Sequence, residues 1–170
     1  MRVFVARQPI FNRKEQVVAY ELLYRESEKN FFSGIDGDQA TTELMINSFL
    51  NIGIDKLTEG KRYYVNFTEG LLASGLPTYF DPDQLVVEIL EDVPITLELI
   101  ERCRHLKSLG YTIALDDFCL KHRVKRDLLH QLLASIDILK IDFFKTTQQE
   151  RQSILRSRSR PGSPFPATGH

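Results

Sequence analysis

"IALDDFCLK", residues 113–121, runs three apolar residues straight into two adjacent carboxylates, Asp116 and Asp117. A carboxylate in a strand core costs several kcal/mol unless it is paired, hydrogen-bonded or bound to a metal. The same arrangement recurs on both sides of this stretch. Glu21 sits in "AYELLY", Asn66 ends "YYVN", Glu88 interrupts "LVVEIL" and Lys140 ends "IDILK". Each polar residue lies within, or at the C-terminal end of, an apolar run.

The runs alternate with helical patterns. "VFVA" (3–6) and "QVVAYELLY" (16–24) read as strands joined by "RQPIFNRKE" (7–15), where Asn12 suits a turn. "DGDQATTELMINSFLNIG" (36–53) carries an apolar stripe that predicts a helix. Strand "RYYVNF", helix "TEGLLAS", strand "QLVVEIL", helix "ITLELIERCRHLKSLG", strand "YTIALDDF", helix "VKRDLLHQLLA", strand "DILKIDFF" and helix "TQQERQSILR" follow. Repeated units of this length imply parallel strands joined by right-handed crossovers. A closed eightfold barrel needs roughly 250 residues, and this chain has 170. The expected fold is therefore α/β, an incomplete TIM-type (β/α) barrel with parallel strands, open at its C-terminal edge. The patterned domain is expected over 1–156. "SRSRPGSPFPATGH" (157–170) has no periodicity and reads as a disordered tail.

In such a fold the strand ends gather on one rim, where β/α proteins keep their sites. Converging carboxylate and amide oxygens suit Mg²⁺ or Mn²⁺, which prefer hard oxygen ligands. Each residue also has a structural reading. A strand-end Asp commonly caps a helix or forms a turn, Asn66 fits a turn, Glu88 can pair with an Arg or Lys, and Lys140 can snorkel to solvent. "KHRVKR" (121–126) reads as a solvated face or an anion-friendly loop, and the four histidines form no constellation.

Balanced charge, 22 Lys+Arg against 23 Asp+Glu, argues against polymeric nucleic acid or an anionic membrane surface as partner. The N-terminus lacks a signal-peptide core, and the apolar runs are too short to span a bilayer, so a cytoplasmic location is expected. Cys103 and Cys119 match no metal spacing and are expected as free thiols.

Read in order, the motifs resemble the EAL family of cyclic-di-GMP phosphodiesterases. "RQPIFNRKEQVVAYELLYR" looks like the family's opening, with Glu21, Leu23 and Arg25 in its ExLxR signature. "YVNFT", "VVEILED", "LDDF" and "ILKID" resemble its Asn, Glu, paired-Asp and Lys strands, and the resemblance covers roughly residues 3 to 156. "VARQPIF", "DGDQAT", "SGLP" and "EILEDV" look like the divergent module coupled to HDOD domains in bacterial proteins. The resemblance implies a metal centre of Glu21, Asn66, Glu88, Asp116 and Asp117. It places Lys140 near the attacking water, and Gln8 and Arg25 on the dinucleotide.

The chain departs from the family in three places. Leu22 stands where the family has Ala, and its bulk is expected to narrow the pocket beside Glu21. "FCLKHRVKR" replaces a Gly-containing, Ser-rich loop after Asp117. The family's later strands, with a further Glu and a Gln, have no counterpart before the tail, which reads as a truncated or frameshifted end. The expectation is a degenerate signalling module, non-catalytic, acting through protein contacts or weak cyclic-di-GMP binding, with a homodimer as a candidate assembly. The alternative is an active metal-dependent cyclic-di-GMP phosphodiesterase.

Overall fold

The computed structural model describes residues 4–25, 53–116 and 126–158. The helix expected over 36–53, Asp117, Cys119, the 121–125 loop and the tail from 159 lie outside the described residues. So does the side chain of Arg25.

Six strands form one sheet in the order of the chain: β1 (Phe4–Phe11), β2 (Val17–Arg25), β3 (Arg62–Phe67), β4 (Leu85–Ile89), β5 (Thr112–Leu115) and β6 (Ile138–Leu139). β1 and β2 pair antiparallel, and every later pair is parallel. The described sheet does not close, since β1 and β6 are its two edges. The helices are α1 (Ile54–Thr58), α2 (Glu69–Ala73), α3 (Leu97–Ser108), α4 (Arg126–Ser135) and α5 (Gln148–Arg158), with a 3₁₀ turn at Leu76–Tyr79.

The β1–β2 turn forms where Asn12 is expected to make it. The Asn12 carboxamide oxygen accepts from the backbone N–H groups of Lys14 (2.9 Å) and Gln16 (3.1 Å). β1, however, runs on through Arg7–Phe11, which the sequence reading assigns to the turn. Pro9 is tolerated because β1 is an edge strand, where a missing N–H costs no ladder bond. At the other edge β6 is only two residues long. The Asp142 carboxylate accepts from Phe144 N (2.7 Å) and Lys145 N (3.2 Å), turning "DFFK" out of the sheet.

Threonine caps start two helices: Thr68 accepts from Leu71 N at 3.3 Å and Thr96 from Leu99 N at 3.1 Å. α3 buries Leu99, Ile100, Cys103 and Leu106, a stripe of helical period, and stops at Gly110, whose φ of 96° suits glycine. The strands alternate faces. Tyr20, Leu22, Tyr63, Val65, Phe67, Leu85, Val87, Ile89, Ile113 and Leu115 face the helices and form the core with Leu71, Ile100, Leu106 and Leu132. The opposite face carries Glu21, Tyr64, Asn66, Glu88 and Ala114 in register. The core is thus one face of the sheet, and the candidate polar residues occupy the other.

Candidate functional site

Parallel pairing brings the strand ends together. Glu21 is the Cα partner of Tyr64 on β3, Asn66 that of Glu88 on β4, and Glu88 that of Ala114 on β5. Asp116 follows β5 directly and is held there by its N–H, which donates to Ile89 O at 2.9 Å. Lys140 follows β6 in the same way, its N–H donating to Leu115 O at 2.9 Å. Residues up to 119 positions apart in sequence therefore meet at one end of the sheet.

The Lys140 ammonium sits at the point of convergence. It contacts Glu21 Oε2 at 3.3 Å and Asp116 Oδ1 at 3.1 Å, and makes a short ion pair with Glu88 Oε1. Asn66 Nδ2 donates to Glu21 Oε1 at 3.3 Å. Two oxygens in this cluster have no hydrogen-bond partner among the described residues although both are buried: Asn66 Oδ1 and Glu88 Oε2.

Burial pushes the Glu88 carboxyl up to about 7; Lys140 pulls against this, and the charges of Glu21 and Asp116 add to it. Burial alone would lower the Lys140 ammonium. The bond and charge of Glu88, with the charges of Glu21 and Asp116, outweigh it and hold Lys140 above its ordinary value. Lys140 is therefore cationic at neutral pH, and three carboxylates surround one positive charge.

Among the described residues no three His, Cys, Asp or Glu side chains stand in a ready metal cage. The carboxylates are instead spread around Lys140. Their chemistry nevertheless fits a hard divalent cation. All the donors are oxygens, and the orphaned Asn66 Oδ1 and Glu88 Oε2 are lone-pair donors lacking a positive partner.

Gln8 is the Cα partner of Glu21 and lies exposed on the same face, at the rim. Tyr64 was not singled out from sequence, yet it lines this face two residues before Asn66, with its phenol raised by burial. Period-two alternation counted back from Asn66 is the signal for it. Leu22 does not narrow the pocket. It is 1% exposed and belongs to the helix-side core, because consecutive strand residues point to opposite faces.

No family model matches the chain. Its relatives include the uncharacterized protein YuxH of Bacillus subtilis, 69% identical over 157 residues that make up 92% of this chain and 38% of that protein. Another is the cyclic di-GMP phosphodiesterase CdgJ of Vibrio cholerae, 36% identical over 158 residues, 92% of this chain and 37% of that one. The solved structure of Bacillus subtilis YkuI, a protein with an EAL domain in complex with c-di-GMP and calcium, superposes with a TM-score of 0.65 at 20% identity. That match takes in 92% of this chain and 45% of YkuI. The fold is that of an EAL domain. The chain spans less than two fifths of the length of the two relatives. Glu21, Asn66, Glu88, Asp116 and Lys140 meet at one end of this sheet, across β2 to β6.

Proposed function

We propose that this chain is a cyclic-di-GMP-linked signalling module that binds a divalent cation, Mg²⁺ or Mn²⁺, and through it the dinucleotide weakly, without turning it over. The observation that carries the reading is the pair of orphaned oxygens, Asn66 Oδ1 and Glu88 Oε2, beside two further carboxylates. Glu21, Asn66, Glu88 and Asp116 would hold the cation, with Asp117 completing the set, and Gln8 and Arg25 would meet the ligand at the rim. When bound, such a cation polarises phosphoryl oxygens and lowers the pKa of water.

Absence of turnover is supported by "FCLKHRVKR" after Asp117, in place of the family's Gly-containing, Ser-rich loop, and by the metal-free state of the Lys140 ammonium. An ammonium has three donors, and three carboxylates surround this one. In the metal-free chain it is not free to orient a water or to offset charge developing on a phosphate. Output would then run through protein contacts, for which β6, an edge strand among the described residues, offers a pairing edge to a second copy or to a signalling partner. An HDOD domain is the partner type that the motifs favour. No helix among the described residues is long and apolar enough to cross a membrane. With Cys103 buried as a free thiol, this supports a cytoplasmic site of action.

A second reading, a metal-dependent phosphodiesterase, is favoured by the retained carboxylates and by the 36% identity to the cyclic di-GMP phosphodiesterase CdgJ. Incubation of the chain with cyclic-di-GMP and Mn²⁺, beside an Asp116→Asn control, separates the two. Calorimetric binding without product supports the signalling module. Linear dinucleotide made at several turnovers per minute, and lost in the control, establishes the phosphodiesterase.

A further inference from the structure

We infer that Lys140 is a tethered counter-ion that competes with the divalent cation for the same carboxylates, so that the cation binds by expelling the ammonium from the cluster. This rests on the cation reading above and adds the way in which the chain's own residue regulates it. The ammonium reaches one oxygen each of Glu21 on β2, Glu88 on β4 and Asp116 at the end of β5. Those are the lone pairs a hard cation would need. Mg²⁺ takes ligand oxygens at about 2.0–2.1 Å in near-octahedral array, and a positive charge at the centre of the same oxygens excludes it by space and by repulsion.

The cluster is built to release Lys140. Glu88 is wholly buried, whereas the Lys140 side chain is 31% exposed and sits on a flexible four-carbon stem. Glu88 is therefore fixed from below, and the ammonium can swing toward solvent. Three carboxylates against one ammonium leave two negative charges uncompensated when all are ionised, so a divalent ion neutralises what Lys140 does not. In the metal-free chain Lys140 keeps mutually repelling carboxylates gathered. It also lowers their affinity for any second cation.

Two measurements on the full chain test this. Calorimetric titration with Mn²⁺ should show Lys140→Met binding about tenfold or more tightly than the parent, because breaking a buried pair raises the free energy of the metal-free state. Lys140→Arg, which keeps the charge, should bind no more tightly than the parent. On the unaltered chain, acetylation by an amine-reactive ester, read by mass spectrometry, should speed up severalfold at Lys140 when Mn²⁺ is added. The exposed Lys14 should not change. This second measurement stands even if Lys140→Met fails to fold. Mn²⁺ binding with equal or lower affinity in Lys140→Met, or an unchanged acetylation rate under saturating Mn²⁺, overturns the inference and leaves the cation reading in place. Failure of both chains to bind Mn²⁺ overturns the two together.

Discussion

Asn66 and Glu88 are Cα partners across β3 and β4, and each keeps one buried side-chain oxygen with no donor among the described residues. A buried acceptor left unmet costs about 1–3 kcal/mol, so two side by side mark a place where the fold gives up stability. Glu88→Gln removes one anionic oxygen donor while keeping the shape. Divalent affinity, which follows ligand charge, should fall about tenfold or more in calorimetry, with the circular dichroism spectrum retained.

Stability should depend on pH through the same residue. Burial raises the Glu88 carboxyl to about 7 from an ordinary 4.5, so the folded chain holds this proton more tightly than the unfolded chain. Between those values the folded state binds more protons, and stability falls as pH rises. The raised Lys140 adds no slope there, being protonated in both states. Urea midpoints of the metal-free chain should be higher at pH 5.5 than at pH 8, and Glu88→Gln should flatten the difference.

Leu22 tests which way β2 faces. Leu22→Ala should cost about 2–5 kcal/mol in urea unfolding, as large-to-small core changes do. Its Mn²⁺ affinity should stay at the parent value, because the side chain is on the helix side of the sheet. A changed affinity with unchanged stability would place Leu22 at the rim instead.

Asp137 joins three elements. Its carboxylate accepts from Ile113 N at 3.0 Å and from Lys107 Nζ at 2.7 Å, tying β5 to the end of α3 just before β6 begins. Asp137→Ala orphans the Ile113 N–H and should cost about 1–3 kcal/mol. Asp137→Asn keeps an acceptor and should cost less; thermal melts of the two variants give the order.

Strand positions were legible because β3, β4 and β5 are apolar runs bounded by turn residues, and "RYYVNF" matches β3 residue for residue. The gathering of Glu21, Asn66, Glu88, Asp116 and Lys140 at one end followed from parallel topology alone. Local reading failed where tertiary context decides. "RQPIF" was assigned to the turn with Asn12 although it continues β1 along a sheet edge, and "IDFF" looked like strand although Asp142 turns it away. The sense of Leu22 needed only the two-residue period, applied to the neighbour of a site residue. The centring of Lys140 was not legible, since the reach of a long side chain has no periodicity. It was foreshadowed only as the structural reading of Glu88, a pair with an unspecified Arg or Lys.

The strands lie in space in the order in which they are synthesised. Each new strand can dock on the one before it, so the sheet grows by addition at one edge, each step closing only the connection between neighbours. The rim is the exception to this local economy. Glu88 must wait 52 residues, and Glu21 119, for the ammonium that pairs with them. Lys140 is the last of the cluster to be synthesised, and until then an ion from solution has the first opportunity to fill its place among the carboxylates.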